Sequence, residues 1–246
     1  MRNSVLPSPV YLTCFHKTGT NLLGKILRDF SKKLDVKFWY YNTTTKRHGL
    51  PEPEEWDIFF DHHSLYLDDD YSRINDSITI TVVRDPRDVI ISGAHYHKKS
   101  DEIWLHHART EFGGLTYQQK ICSLENDEER FIFEMDHSAS VTIKRMKNIV
   151  NTEKINLIVK FEDLVSDYDM VHFENMFKQM GIEQSIMGRC KEIALSHSLF
   201  NINAKDDPHI RSGKPKEWES VYNDRLKSEY TKRFGNLHEL LGYQPF

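Results

Sequence analysis

The feature that most constrains the fold is an apolar run that leads directly into a lysine-containing turn and then into a helix. Residues 10–15 are nearly all apolar and include β-branched and aromatic members, which is typical of a strand buried on both faces of a parallel sheet. The turn is residues 17–21, with the sequence Lys-Thr-Gly-Thr-Asn, and over residues 21–34 apolar side chains recur at helical spacing. The order of strand, turn and helix predicts a βα unit.

The same alternation continues along the chain. Further strands are predicted at residues 36–40, 58–61, 78–83 and 155–161, and further helices at residues 86–97, 131–146, 170–180, 185–196 and 224–234. Strands that alternate with helices predict an α/β fold, in which a parallel β-sheet is flanked by helices on both faces. Ligands of such folds bind beyond the carboxyl ends of the strands.

The length of the chain predicts a single domain. A chain of 246 residues with 39% hydrophobic content can bury one sizeable core, so residues 1–246 are assigned to one domain. Residues 98–130 are polar and aromatic by turns, and we interpret them either as a lid or insertion or as ordinary packing helices. Residues 201–217 are rich in lysine, aspartate, proline and glycine, and we predict that they form a polar loop that binds the ligand.

Charge, cysteine content and hydropathy narrow the class of protein. The 33 basic and 37 acidic residues give a net charge of −4, which does not favour nucleic acid as a partner. Three widely spaced cysteines fit a reducing cytosol. The N-terminus has no signal-peptide pattern, and no apolar run approaches the roughly 18 residues of a membrane span. We therefore predict a soluble cytoplasmic protein with no membrane partner; the sequence does not indicate its oligomeric state.

The lysine turn has the composition of a phosphate site. The amides at a helix N-terminus bind anions, and Lys17 adds a positive charge at the same place. The Walker pattern of ATP- and GTP-binding proteins requires a glycine immediately before the lysine, but His16 precedes Lys17 and the glycine comes two residues later. The alternative interpretation is a tight strand–helix turn that uses Gly19 only for its backbone freedom.

A second motif follows the strand predicted at residues 78–83. It begins with Arg84 and continues into a helix with Pro86 in its first turn, which Asp85 or its neighbour would cap. Ser92 comes eight residues after Arg84, a spacing that lets an arginine and a hydroxyl share one phosphate. In the structural alternative, the two arginines and two aspartates of residues 84–88 pair with one another at the helix start.

Together with a third segment, these motifs resemble the sulfotransferases that use 3'-phosphoadenylyl sulfate (PAPS). In that family a lysine loop holds the 5'-phosphosulfate end of the donor, and an arginine–serine pair holds the 3'-phosphate. Residues 211–218, Arg-Ser-Gly-Lys-Pro-Lys-Glu-Trp, resemble the family's late arginine-glycine-tryptophan loop, which also contacts the 3'-phosphate. The three matches run from residue 12 to residue 218. The resemblance implies a P-loop NTPase-like sulfotransferase fold, with PAPS as sulfuryl donor and adenosine 3',5'-bisphosphate (PAP) as its product.

The resemblance also implies which residues bind the donor. They lie in the lysine turn, at the start of the second motif, after two later elements and in the polar loop: Lys17, Thr18, Gly19, Thr20, Asn21, Arg84, Ser92, Phe161, Ser198, Arg211, Ser212, Gly213 and Lys214. The chain departs from the family at Leu22, where cytosolic members commonly carry an adenine-stacking tryptophan, and at Phe161, where they carry a tyrosine. Ser212 replaces a usual lysine, and Lys216 stands where glycine is common.

Sulfuryl transfer requires a base for the acceptor's proton, and histidine suits this role near neutral pH. His62 and His63 end the apolar segment 58–61, where the resembling family places its catalytic histidine. Because adjacent strand residues face opposite ways, only one of them is predicted to enter the site. We favour His63 as the base, with His62 packing or orienting it. Lys17 is predicted to neutralise charge on the departing phosphate oxygen.

The acceptor is predicted to be a small molecule with a hydroxyl or amine group, bound by aromatic-containing segments such as residues 39–56 and 98–130. No metal is predicted. His95 and His97 lie two apart on a helix and point away from each other, and adjacent histidines such as His106 and His107 do not readily share a tetrahedral ion. The sulfuryl group carries less charge than a phosphoryl group, so magnesium is not required by that argument.

Two other functions stay open on the sequence alone. One is a small-molecule or nucleoside kinase, because residues 58–61 imitate the apolar run that ends in a magnesium-holding aspartate. The missing glycine before Lys17 weakens it. The other is a catalytically inactive nucleotide-binding scaffold, for which the departures at Leu22 and Phe161 leave room.

Overall fold

The computed structural model describes residues 4–42, 46, 49, 53, 55–66, 74, 76–201 and 214–246. The chain falls into two compact units. The first unit comprises Met1–Arg84 and Asn148–Pro215, and the second comprises Asp85–Lys147 and Lys216–Phe246. Within the described residues, no helix is both long and apolar enough to cross a bilayer. One domain over residues 1–246 stays a prediction.

A parallel sheet forms the centre of the first unit. Among the described residues its strands are β1 (Val10–Cys14), β2 (Phe38–Tyr41), β3 (Ile58–Asp61), β4 (Ile78–Val83) and β5 (Leu157–Lys160). Their spatial order is β2-β3-β1-β4-β5, and every pairing is parallel. The central strand β1 pairs with β3 on one side and β4 on the other, so Val10 lies opposite both Ile58 and Ile78. The α/β fold with a parallel sheet is therefore confirmed.

Helices make up most of the remaining described elements. In chain order the described helices are α1 (Thr20–Leu34), α2 (Pro86–His97), α3 (Tyr117–Cys122), α4 (Asp127–Asp136), α5 (Ser138–Val150), α6 (Phe161–Val165), α7 (Val171–Gln179), α8 (Gln184–His197), α9 (Trp218–Val221), α10 (Asp224–Phe234) and α11 (Leu237–Leu240). The predicted bounds of β3, β4, α2 and α10 agree with the structure. The strand predicted at residues 155–161 is shorter in the structure. It covers Leu157–Lys160, and Phe161 already begins α6.

The apolar face of α1 anchors this helix to the first unit. Leu23, Ile26 and Phe30 are completely buried, and the Phe30 ring lies 5.1 Å from the ring of Phe177 on α7. Burial of three such side chains contributes roughly 1.5–3 kcal/mol each. The start of α1 is therefore held firmly at the carboxyl end of β1.

In the second unit, residues 98–130 fold into short helices. Two 3-10 turns, Ile103–His106 and Thr110–Phe112, precede α3. The buried Tyr117 ring packs 5.0 Å from Trp104, and its hydroxyl donates a 2.9 Å hydrogen bond to Glu134, which also lies 2.5 Å from Nδ1 of His97. These aromatic side chains thus pack within the second unit, and a lid role for residues 98–130 stays a prediction.

Helical structure over residues 131–146 is confirmed, but it is divided between α4 and α5. The helix breaks at His137, whose backbone leaves the helical region (φ −124°, ψ −109°) between α4 and α5. The His137 ring stacks on Phe133 at 4.1 Å, and its Nδ1 lies 2.7 Å from the Phe133 carbonyl oxygen. The imidazole therefore occupies the Phe133 carbonyl oxygen, which in a continuous helix would accept a hydrogen bond from the backbone amide of His137. Apolar periodicity does not reveal this competition.

Two buried aspartates cap helix starts with both carboxylate oxygens. Asp88 accepts from the amides of Lys216 and Trp218 at 2.8 and 2.9 Å, in the second unit. Asp167 accepts from the amides of Val171 and Phe173 at 2.8 Å each, in the first unit. We expect Asp88→Asn and Asp167→Asn each to lower the free energy of unfolding by about 1–3 kcal/mol, because the amide replaces one acceptor with a donor that faces an N–H group. Urea unfolding measures this loss.

The exposed Asp169 provides the control for this measurement. Asp169→Asn is expected to change the free energy of unfolding by less than about 0.5 kcal/mol, as surface substitutions usually do. If Asp88→Asn and Asp167→Asn unfolded at the parent's urea midpoint, the capping bonds would contribute nothing measurable.

Candidate functional site

The turn between β1 and α1 has a fixed backbone. The Phe15 amide donates to Oγ1 of Thr18 at 2.8 Å, and the Thr18 amide donates to the Phe15 carbonyl at 3.1 Å. Lys17 adopts a left-handed conformation, with φ of +66°. Gly19 is the N-cap residue of α1, and it has no side chain that could accept a hydrogen bond from the first-turn amides. Uncapped amides beside a lysine have the chemistry of an anion site.

Gly19 is required at its position for two reasons. Its φ of +99° lies in the region that other residues rarely adopt, and a Cβ atom there would lie 2.7 Å from the ring of Phe161. Phe161 is the first residue of α6, directly after β5. Phe161, which the resemblance assigned to the donor site, therefore packs against the lysine turn.

Arg84 lies directly after β4, the strand next to β1. Its side chain is only 8% exposed, and its Nη1 donates a 3.1 Å hydrogen bond to the carbonyl oxygen of Lys17. The guanidinium carbon lies 4.9 Å from the centre of the Phe161 ring. The Nε atom is buried and has no hydrogen-bond partner among the described residues. A buried cationic donor without a partner is costly unless an acceptor reaches it, which fits an anionic ligand.

The rest of the second motif has a structural role within the second unit. Asp85 caps α2 through the Arg87 amide at 3.0 Å and pairs with the Arg87 guanidinium at 2.7 Å. Arg87 is almost fully buried and stacks 3.5 Å from the centre of the Trp218 ring. The structural alternative therefore holds for Asp85 and Arg87. Arg84 bonds to the lysine turn.

His62 and His63 follow β3 rather than forming part of it. The strand ends at Asp61, so the alternation of strand side chains does not apply, and the two imidazole rings lie 4.1 Å apart. His62 packs against Tyr40 at 5.4 Å and Phe60 at 6.0 Å. The His63 ring lies 5.2 Å from that of His16, edge to face. His62 thus has the packed environment, and His63 lies toward the lysine turn.

Burial also affects the chemistry of His62. Burial, and to a smaller extent the positive charge of Arg28, lower the pKa of His62 to about 4. His62 is therefore neutral at physiological pH and a weak base, since base strength falls with pKa.

Acid is expected to destabilise the protein through His62. The unfolded chain binds a proton at His62 below about pH 6.5, whereas the folded protein binds it only near pH 4, so stability is complete above pH 6.5 and falls as the pH drops toward 4. The shift corresponds to a loss on the order of 2–3 kcal/mol. Urea unfolding of the parent and of His62→Gln at pH 7.5 and 4.5 measures it. Equal losses in both proteins would contradict the assignment.

Asp61 organises the loop that carries the histidines. Its carboxylate is buried and accepts from the hydroxyl of Tyr11 at 2.7 Å and from the amides of Leu65 and Tyr66 at 2.8 and 2.9 Å. Burial raises the pKa of Asp61, while these hydrogen bonds oppose the rise. Both oxygens therefore have structural partners.

The other predicted donor residues are distributed as follows. Thr20 and Asn21 are the first two residues of α1. Leu22 is buried in the core, so its side chain has little surface on which an adenine ring could stack. Ser92 lies on α2 in the second unit. Ser198 is the C-cap of α8, and its hydroxyl donates to the Ala194 carbonyl at 2.9 Å. Lys214 is described, whereas Arg211, Ser212 and Gly213 lie outside the described residues.

Two contributions were not found from the sequence. His16 was considered only as the residue that replaces a Walker glycine, yet its ring contacts His63. Arg28, an exposed residue of α1, lies 4.7 Å over the Tyr40 ring and affects the pKa of His62. Both contacts join distant segments. Among the described residues, no three His, Cys, Asp or Glu side chains are grouped as metal ligands would be.

Comparisons with known proteins identify the fold. No protein-family model matches the chain, and no curated protein matches it in sequence. The structure of mouse sulfotransferase SULT7A1 complexed with PAP is similar, with a TM-score of 0.62 and 15% identity over 96% of this chain and 87% of that one. Retinol dehydratase in complex with androsterone and inactive cofactor PAP has a TM-score of 0.54 and 14% identity, over 94% and 81% of the two chains.

A second structure of retinol dehydratase, with retinol and PAP, has a TM-score of 0.52 and 14% identity, over 94% of this chain and 81% of that one. The chain therefore has the sulfotransferase fold, as the resemblance implied. At these identities the likeness establishes the fold alone.

Proposed function

We propose that this protein transfers a sulfuryl group from PAPS to a hydroxyl or amine of a small-molecule acceptor. One observation carries the proposal. The carboxyl ends of the adjacent strands β1 and β4 bring together a lysine turn, an uncapped helix start and Arg84, whose buried Nε has no hydrogen-bond partner among the described residues. Anionic ligands of α/β folds bind at such strand ends.

The residues of this site have complementary roles in the proposed reaction. The donor supplies the sulfuryl group and leaves as PAP. Lys17 and the first amides of α1 hold the 5' end and neutralise charge on the departing phosphate oxygen, and Arg84 binds the 3'-phosphate. His63 accepts the acceptor's proton as the acceptor oxygen or nitrogen bonds to sulfur and the sulfur–oxygen bond to the phosphate breaks. Ser92 and residues 211–214 are further donor ligands implied by the resemblance.

The kinase alternative is weakened by Asp61. A magnesium-holding aspartate needs carboxylate oxygens directed at the ion, whereas both oxygens of Asp61 accept hydrogen bonds from Tyr11, Leu65 and Tyr66. Measured turnover with any acceptor would exclude the alternative of a catalytically inactive scaffold.

The similar structures inform the class of acceptor. Retinol dehydratase was crystallised with androsterone and with retinol, both of which are apolar ring compounds that carry a hydroxyl group. We propose acceptors of this kind, bound in part by the aromatic side chains of β2 and the loop after β3. These include Trp39 and Tyr41, whose rings lie 5.7 Å apart.

Calorimetry without magnesium tests the donor site. We expect PAP to bind at least tenfold more tightly than adenosine 5'-monophosphate (AMP) or ATP, a difference of about 1.4 kcal/mol. The preference is expected to collapse in Arg84→Ala and in Arg211→Ala, because both variants lose a cationic partner of the 3'-phosphate. Arg189→Ala, which alters an exposed arginine on α8, serves as the control. Tighter binding of ATP, or no preference, would refute the proposed function.

A further inference from the structure

Arg84 makes a contact that binding a phosphate does not require. Its Nη1 donates to the carbonyl oxygen of Lys17, at 3.1 Å, across 67 residues of sequence. Lys17 is a non-glycine residue with φ of +66°. Residues other than glycine keep such a conformation only where surrounding contacts hold it. The bond from Arg84 is such a contact, because it fixes the carbonyl of the left-handed residue itself.

Phe161 completes the support of the same turn. Its ring lies under the Arg84 guanidinium at 4.9 Å and directly against Gly19, where a Cβ atom would approach it to 2.7 Å. Arg84, Phe161 and the turn of residues 17–19 therefore form one packed unit. Nη1 is bonded to Lys17, and the buried Nε has no hydrogen-bond partner among the described residues.

We propose that Arg84 is a positioning residue for the lysine turn as well as a ligand of the donor. By holding the Lys17 carbonyl it keeps the left-handed backbone that directs the first amides of α1 toward the 5' end of the donor. The second part of this inference rests on the proposed function: one guanidinium joins the 3'-phosphate site to the 5' site. Binding at the two ends is then coupled, and the coupling is reciprocal by thermodynamic necessity.

Hydrogen exchange of the ligand-free protein tests the positioning role without any assumption about the donor. In Arg84→Ala we expect the amides of Thr18 and Leu23, which bond to Phe15 and Gly19, to exchange at least tenfold faster than in the parent. The amide of Leu12 in the middle of β1 is expected to keep its rate. Arg84→Lys, which retains a charged donor, is expected to restore part of the protection.

A matched control is Arg189→Ala. Arg189 also donates from its guanidinium to a backbone carbonyl, that of Lys33, in the same unit but at the other end of α1. Its removal is expected to leave exchange of Thr18 and Leu23 unchanged. Unaltered exchange of these amides in Arg84→Ala, or equal acceleration throughout β1, would overturn the positioning role.

Calorimetry with AMP and adenosine 3'-monophosphate tests the coupling. AMP lacks the 3'-phosphate, so an arginine that served only as a 3'-phosphate ligand would not affect its affinity. We expect Arg84→Ala to weaken AMP binding about fivefold, in addition to a larger loss for PAP and adenosine 3'-monophosphate. An unchanged AMP affinity would overturn the coupling. If the parent showed no preference for PAP, the proposed function would fail, and hydrogen exchange would still decide the positioning role.

Discussion

His63→Asn is expected to lower the single-turnover rate of sulfuryl transfer from PAPS to a phenolic acceptor such as 4-nitrophenol by about 10³-fold. Removal of a general base costs roughly 10²–10⁴-fold in rate, and asparagine keeps much of the shape of imidazole without its basicity. Rapid-quench measurement at pH 7.5, with the enzyme–donor complex in excess over the acceptor, separates the chemical step from product release.

His62→Asn is the matched comparison. Burial and Arg28 lower the pKa of His62 to about 4, and its ring packs against Tyr40 and Phe60. Its loss is therefore expected to affect the rate by about tenfold or less, through the position of the His63 ring 4.1 Å away. A larger loss in His62→Asn than in His63→Asn would reverse the assignment of the base.

Gly19→Ala is expected to abolish measurable PAP binding and to lower the free energy of unfolding by about 2–5 kcal/mol. The first cost is backbone strain at φ of +99°, about 1–2 kcal/mol for an L-residue. The second is overlap of the new methyl group with the Phe161 ring at 2.7 Å, about 1–3 kcal/mol if the ring must shift. Because relief of either cost moves the start of α1, the anion site is lost together with stability. Urea unfolding and calorimetry measure the two effects.

Gly188→Ala provides the control in the same unit. Gly188 lies on α8, and a Cβ atom there would have no neighbour within 4 Å. That variant is expected to be neutral or more stable by up to about 1 kcal/mol, since alanine favours helix. The double variant Gly19→Ala/Phe161→Ala is expected to regain the part of the stability that steric overlap removes, but not the part due to strain. Equal stabilities of Gly19→Ala and Gly188→Ala would contradict both arguments.

Much of the fold was predictable because its signals are local. The bounds of β3, β4, α2 and α10 agree with the structure because each has its own start or stop residues. Asp85 caps α2 and Pro86 begins it, for example, with two residues between the end of β4 and the helix. The break at His137 was not predictable, because it depends on where one imidazole ring turns.

The candidate site divides in the same way. The sequence by itself determined that a strand delivers Lys17 to a helix start, that Arg84 follows a second strand, and that two histidines follow a third. These statements need only spacing and residue chemistry. Only the tertiary structure decided that β1 and β4 are neighbours, that Arg84 bonds to Lys17, that Phe161 packs on Gly19, and that His16 contacts His63. The physical reason is that these contacts join segments up to about 140 residues apart, and the order of strands in the sheet, which no local pattern records, brings them together.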